Sequence, residues 1–373
     1  MLLVCSANVT VRLASWLLRP SRLLPPPTSL RYSPTSFFPF FCFLLFLPHH
    51  LLLDRYGLSR KYITTNYSVS MGIRRKQASM EMCTVSGFPT ELIKMHSEES
   101  SLHILLIPGN PGIVSFYKDF VEEVYQLLEG QASITAIGHI SHAAKDWEHG
   151  RMFSLEEQIK HKVDFIEQEF QSSEQPIILV GHSIGSYISL EIFKRLPQQV
   201  KHIIGLYPFL TLNKNSLKQS IIGSIVRSSI VSVTISYIVS FLGSLPTWAQ
   251  VAMVKMFLGQ SWSTAAVAAT CSHLLQYHTM RNVLYMAKTE FEKLSKEPDW
   301  MFMKRKQNQI SLLFGIDDHW GPLAHFEEVS GQVPNLGLSV EREGHTHAFC
   351  CTEAGSFWVA DYVATLIRNQ IPK

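Results

Sequence analysis

The sequence is poor in charged residues. Only 17% of its 373 residues are Asp, Glu, Lys or Arg, whereas an average soluble domain has about 25%. The formal net charge is +3, and the sequence has no dense stripe of Lys and Arg with interleaved aromatic residues, so we predict no nucleic-acid partner. The hydrophobic fraction of 46% and the slightly positive mean hydropathy favour a lipid or membrane surface as a partner.

Closely spaced pairs of cysteines are also missing. The six cysteines are scattered, with no CxxC pair and no zinc-binding spacing to histidine, which excludes a disulfide framework. Adjacent Cys350 and Cys351 would form a strained ring if they were bridged, so we predict free thiols in a reducing compartment. The closely spaced His345 and His347 lack further ligands at a useful spacing for zinc. We therefore predict neither a metal nor a cofactor.

Acidic residues are nearly absent from residues 1–80, which contain a single one. This segment begins with several arginines among Leu and Ser, a composition typical of a transit peptide. Its apolar run at residues 36–53 is interrupted by Pro39 and Pro48 and falls short of the roughly 20 apolar residues of a spanning helix. We interpret residues 1–80 as a targeting-like or disordered leader. The alternative is an upstream extension, with translation beginning at Met71, Met80 or Met82.

Residues 82–373 are typical of a globular domain in which strands alternate with helices. Short apolar runs predict strands at residues 101–108, 132–138, 176–181, 202–208, 309–315 and 336–343. Apolar positions at helical spacing predict helices at residues 115–128, 155–170, 184–196 and 357–371. This alternation predicts an α/β fold with a mainly parallel, doubly wound sheet, in which ligands bind at the carboxyl ends of the strands.

Residues 209–306 interrupt the alternation, because they contain no clear strand pattern. We predict that they form a helical cap inserted into the domain, with an apolar side over the active site. Residues 221–242 are strongly apolar, and Arg227 is their only charge. A cap that also contacts lipid is compatible with this composition, whereas a spanning helix would sit inside a domain that has to fold around it.

The sharpest motif is Gly-His-Ser-Ile-Gly at residues 181–185, which matches G-x-S-x-G. It directly follows a buried strand and directly precedes an amphipathic helix, which is the arrangement of the nucleophile elbow in α/β-hydrolases. The turn forces the serine into an unfavourable backbone conformation, and the flanking glycines leave room for it. We therefore predict an α/β-hydrolase fold with Ser183 as the nucleophile.

An oxyanion hole in this fold needs two backbone N–H donors. One belongs to the residue after the nucleophile, which is Ile184. The other comes from the loop after the first core strand, which reads Ile-Pro-Gly-Asn-Pro-Gly at residues 107–112. Because Pro111 has no N–H, Asn110 is the preferred donor and Gly112 is the alternative.

The acid and the base should follow later strands, because the chain order in this fold is Ser, then Asp or Glu, then His. Asp318 has the usual G-x-x-D position after its strand and is the preferred acid, with its neighbour Asp317 as the alternative. His347 precedes Ala-Phe and the closing helix and is the preferred base, with His345 as the alternative. Such a triad would activate Ser183 for attack on an ester.

Four segments together resemble the lipid-droplet-associated hydrolase family, in a plant-type or otherwise diverged form. They are GHSIGSY, LLIPGNPGIVSFYKDF, the G-x-x-D-x-W-x-P stretch at residues 315–322, and HAF beginning at His347. The resemblance covers the domain from about residue 101 onward. It implies an α/β-hydrolase fold with Ser183 as nucleophile, Asp318 as acid and His347 as base. It also implies association with lipid droplets and the endoplasmic reticulum, and a sterol ester or other neutral lipid ester as substrate.

The predicted function is that of a serine ester hydrolase, which acts on lipid esters at lipid droplets through an acyl-enzyme. The alternative is a weakly catalytic or non-catalytic droplet surface protein that organises neutral lipid storage, because a fold does not determine a function. A third interpretation is acyl transfer to an acceptor other than water. We expect the protein at lipid droplets and the endoplasmic reticulum, and organelle targeting by the leader is an open alternative.

Overall fold

The computed structural model describes residues 76–98, 100–171 and 175–369; the predictions for residues 1–75 lie outside them. The described residues contain the strands β1 (Ser79–Val85), β2 (Phe88–Met95), β3 (Leu102–Ile107), β4 (Ala132–Ile137), β5 (Ile177–His182), β6 (Val200–Leu206), β7 (Ile310–Gly315) and β8 (Gly337–Glu341). They form one sheet in the order β1-β2-β4-β3-β5-β6-β7-β8. The strand β2 is antiparallel to both neighbours, and the other pairings are parallel. The predicted mainly parallel sheet is confirmed.

The helices are α1 (Lys118–Leu127), α2 (Leu155–Phe170), α3 (Ile184–Arg195), α4 (Leu217–Arg227), α5 (Ser229–Gly243), α6 (Thr247–Phe257), α7 (Thr264–Ala269), α8 (Tyr277–Lys293), α9 (Trp300–Lys306), α10 (Leu323–Gln332) and α11 (Glu353–Arg368). The helix α1 packs against α11, and α2 packs against α3. The strands β4, β5 and β7 are buried along their whole length, as expected when helices cover both faces of a parallel sheet.

The sequence does not predict β1, β2 or α10. Most residues of β1 are exposed, so this edge strand has no apolar run to reveal it. The strand β2 includes Pro89, Glu91 and Lys94 among its apolar residues, and α10 buries only Val329. The strand β1 begins at Ser79, ahead of the domain start predicted at residue 82.

The insertion between β6 and β7 is helical and contains α4 to α9, with a π-helical turn at Thr270–Leu274. The apolar run at residues 221–242 does not form one helix, because α4 and α5 meet at a bend of 94°. Ser228 lies at this bend and is the N-cap of α5, where its side chain accepts from the N–H of Val231. Among the described residues no single helix is long and apolar enough to cross a membrane, although α4 and α5 pass that test as a bent pair.

Candidate active site

The predicted elbow is the turn between β5 and α3, and Ser183 occupies it. The backbone of Ser183 has φ 56° and ψ −123°, a conformation that costs a non-glycine residue of order 1–3 kcal/mol. Its N–H donates to Leu206 O at 2.9 Å, and its C=O accepts from the N–H of Ser186 at 3.0 Å. A Cβ at Gly185 would lie 2.2 Å from Ile107 O, so only glycine fits where α3 passes the end of β3.

The three predicted triad side chains form one hydrogen-bonded chain. His347 Nε2 lies 2.9 Å from Ser183 Oγ, and His347 Nδ1 lies 2.8 Å from Asp318 Oδ2. When the Nδ1–H donates to the carboxylate, Nε2 accepts the serine proton. Burial raises the pKa of Asp318, but the adjacent His347 imidazole and the N–H of Trp320 outweigh burial and hold this pKa below its ordinary value. Asp318 is therefore ionised at neutral pH.

The two alternative side chains lie outside this chain. Asp317 is exposed, whereas Asp318 is buried. The ring of His345 lies beside Trp358, with 5.9 Å between the ring centroids. Within the described residues His345 makes no hydrogen bond to Ser183 or to either aspartate. The geometry therefore favours Asp318 over its neighbour as the acid, and it disfavours His345 as the base.

The loop after β3 runs directly past the nucleophile. Gly109 comes so close that a Cβ there would lie 3.1 Å from Ser183 Cβ. The N–H of Gly109 donates to Tyr117 Oη at 2.9 Å, and the N–H of Gly112 donates to His142 Nδ1 at 2.8 Å. Gly112 is the alternative oxyanion donor, but its N–H already donates to His142.

Asn110 and Ile184 are the oxyanion donors that the sequence predicts. Ile184 is the first residue of α3, where the first N–H groups of a helix have no partner within the helix. The side chain of Asn110 is fixed by the helix α8, because its Nδ2 donates to Val283 O at 3.0 Å and to Glu290 Oε1 at 2.9 Å. These two hydrogen bonds connect the loop after β3 to the helical insertion.

A second hydrogen-bonded chain, which the sequence does not predict, supports the backbone of His347. Tyr117 Oη lies 2.7 Å from His182 Nδ1, and His182 Nε2 lies 2.8 Å from His347 O. The carbonyl of His347 can only accept, so His182 Nε2 carries the proton and donates to it. In a neutral ring His182 Nδ1 is then an acceptor, and Tyr117 Oη donates to it. Burial lowers the pKa of His182 to about 3, which keeps this ring neutral in that role.

The triad opens into a cavity of about 210 Å³. Its walls come from the loop after β3, from α4 and α8 of the cap, and from the segments after β7 and β8. Most of the lining is apolar and includes Phe116, Phe209, Ile222, Val226 and Phe291. Cys350 and Cys351 also line the cavity, and both are free thiols. Two ionisable groups of the cap, Lys218 and Glu290, reach the cavity as well.

The strand order, the elbow and the hydrogen-bonded chain at Ser183 define an α/β-hydrolase. The structure of a haloalkane dehalogenase from Agrobacterium tumefaciens is similar, with a TM-score of 0.59 over 79% of this chain and 97% of that protein. The two sequences are 13% identical, so this likeness shows the fold alone. The predicted α/β-hydrolase fold is confirmed.

The family is defined by sequence similarity. A profile of the lipid-droplet associated hydrolase family matches residues 100–350. The lipid droplet-associated hydrolase of Dictyostelium discoideum is 30% identical over 272 residues, which cover 70% of this chain and 86% of that protein. The one of Gallus gallus is 26% identical over 268 residues, which cover 66% and 79%. The chain belongs to the lipid-droplet associated hydrolase family, as the sequence motifs predicted.

Proposed function

We propose that the protein is a serine ester hydrolase that acts on lipid esters, such as sterol esters or other neutral lipids, at lipid droplets and the endoplasmic reticulum. The observation that carries this proposal is the hydrogen-bonded chain from Ser183 through His347 to Asp318, which opens into a largely apolar cavity. A serine hydroxyl is a weak nucleophile until a base takes its proton. The distance of 2.9 Å between His347 Nε2 and Ser183 Oγ supports His347 as that base. A largely apolar cavity suits an acyl chain.

In the proposed reaction, Ser183 Oγ attacks the ester carbonyl while His347 Nε2 takes its proton. Asp318 keeps the imidazole in the required tautomer and stabilises its protonated form. The N–H groups of Asn110 and Ile184 bind the oxyanion, and the loss of one such donor typically costs about 3 kcal/mol of transition-state stabilisation. The alcohol leaves with the proton from His347. Water then releases the fatty acid from the acyl-enzyme.

A fluorophosphonate probe should label the protein at Ser183, because an activated serine attacks phosphorus as it attacks a carbonyl. Labelling should be lost in Ser183→Ala and in His347→Ala. The matched control His345→Ala should keep it, because that imidazole lies outside the hydrogen-bonded chain. Mass spectrometry of the labelled peptide identifies the residue. If the folded protein is not labelled either alone or on lipid droplets, the non-catalytic alternative, a surface protein that organises lipid storage, is favoured.

We also propose a docking surface for the lipid droplet, which we call the cap face and define as Ile230, Tyr237 and Phe241. Their spacing along α5 places them on one side of the helix. They are 80%, 63% and 67% exposed, and exposed apolar patches mark interaction sites. The relatives from Dictyostelium discoideum and Gallus gallus are named for their association with droplets, and a lipid surface is the partner that such a face fits.

The triple variant Ile230→Ser, Tyr237→Ser and Phe241→Ser should bind droplets at least about tenfold more weakly, because burying each large apolar side chain contributes about 1.5–3 kcal/mol. Flotation with triacylglycerol droplets coated by a phospholipid monolayer measures the bound fraction. The control is Met80→Ser with Met82→Ser, since these β1 side chains are each 50% exposed but lie outside the cap. Undiminished binding of the triple variant would place the docking surface elsewhere on the chain.

A further inference from the structure

The buried carboxyl group of Glu290 has no role in the reaction proposed above. Glu290 lies on α8, is 4% exposed and lines the cavity. Burial raises its pKa to about 8, although the hydrogen bond from Asn110 opposes the rise. The group is therefore mostly a neutral carboxylic acid at pH 7. A neutral acid carries a proton that it can donate, which an ionised carboxylate cannot do.

The hydrogen bonds of this acid and of Asn110 leave one donor, the O–H of Glu290, and one acceptor, Asn110 Oδ1, unused. Glu290 Oε1 accepts from Asn110 Nδ2, and Glu290 makes no other side-chain hydrogen bond in the part of the chain that the structure describes. Asn110 Oδ1 is buried, and no described donor reaches it. A buried polar group without a partner destabilises the structure. A single hydroxyl group that accepts from Glu290 and donates to Asn110 Oδ1 would satisfy both groups.

Glu290 and Asn110 line the same cavity as Ser183. Asn110 follows Gly109, which approaches the nucleophile so closely that a Cβ there would lie 3.1 Å from Ser183 Cβ. The neighbouring wall is apolar, because Val283, Leu284 and Phe291 line the same cavity. A hydroxyl group held by Glu290 would therefore lie in the same cavity as the carbonyl that Ser183 attacks.

We propose that Glu290 and Asn110 recognise a free hydroxyl group beside the scissile ester, so that the preferred substrates are partial esters of polyols, such as monoacylglycerols. The proposal rests on the hydrolase function of Ser183 and narrows its substrate class. Sterol esters carry no such hydroxyl group and would leave both polar groups without a partner. Glu290 is then a specificity-determining residue.

The test compares two esters of one acid, monooleoylglycerol and propyl oleate, which differ only in the hydroxyl groups. The ratio of their kcat/KM values should be about ten or more in the wild type, since one hydrogen bond of about 1.4 kcal/mol gives tenfold. Glu290→Met should bring this ratio to about one, whatever loss both esters share. Glu290→Gln should keep a substantial part of the preference, because its amide can still accept from Asn110 and donate to the substrate. The control Glu292→Gln, on an exposed position of α8, should keep the wild-type ratio.

A wild type with no preference between the two esters would overturn the proposal. A Glu290→Met variant that lowers kcat/KM equally for both esters would also overturn it, and Glu290 would then only support Asn110 structurally. A second measurement does not depend on hydrolysis. The uncleavable ethers octadecylglycerol and octadecyl propyl ether are compared by the rise in melting temperature that each causes. If neither ester is cleaved but the glycerol ether stabilises the wild type more than Glu290→Met, recognition stands and the hydrolase proposal fails. Equal stabilisation of both proteins would overturn the recognition.

Discussion

Asp318→Asn should lower kcat about 10⁴-fold, because a triad histidine that loses its carboxylate adopts the wrong tautomer. The N–H of Trp320 donates to Asp318 Oδ1 at 2.8 Å, so an asparagine would keep its oxygen there and turn its NH₂ toward His347 Nδ1. That nitrogen would then become an acceptor, and the proton would move to Nε2, which faces Ser183. An Nε2 that carries a proton cannot take the one on Ser183.

The matched control is Asp317→Asn, which makes the same chemical change one residue away at an exposed position. We expect its kcat to stay within about threefold of the wild type, since Asp317 is exposed and lies outside the hydrogen-bonded chain of Ser183, His347 and Asp318. Hydrolysis of a short p-nitrophenyl ester, with circular dichroism to verify folding, measures both variants. A larger loss in Asp317→Asn than in Asp318→Asn would reverse the assignment of the acid. If both variants lost only a little kcat, and to the same extent, the hydrogen-bonded chain would not be needed for catalysis.

The elbow could be predicted from the sequence because everything that forms it is contiguous. The glycines on either side of Ser183 and the apolar strand and helix that flank them leave one local structure that fits. The acid and the base could be narrowed only to neighbouring pairs, Asp317 with Asp318 and His345 with His347. A strand end fixes the position of a loop residue to within a residue or two, whereas the direction of its side chain depends on the packed structure.

Contacts between distant segments could not be predicted. His182 Nε2 and His347 O are 165 positions apart in the chain, and Asn110 and Glu290 are 180 positions apart. A charged residue in an amphipathic helix usually lies on the solvent side, so the sequence gives no sign that Glu290 is buried. The bend at Ser228 could not be predicted either, because the apolar composition continues from α4 into α5.

Gly185→Ala should prevent stable folding, and we expect a loss of more than about 4 kcal/mol in the free energy of unfolding, beyond the range of most substitutions. The added Cβ would lie 2.2 Å from Ile107 O and 2.6 Å from Pro108 O. Both are backbone atoms at the end of β3, and β3 is hydrogen-bonded to strands on both sides. Neither atom can yield as a flexible side chain would. Relief would require α3 to move away from the centre of the sheet, together with Ser183.

The control for this prediction is Gly331→Ala in α10, where nothing lies within 4 Å of the added Cβ. Alanine is favoured over glycine in a helix by about 0.5–1 kcal/mol, so this variant should unfold at the same or a slightly higher temperature. Soluble yield and thermal unfolding by circular dichroism compare the two. If Gly185→Ala folded with an unchanged melting temperature, α3 would have to lie farther from β3 than the structure places it. The structure would then be wrong about the close approach of α3 to β3, which places Ser183 beside the loop after β3.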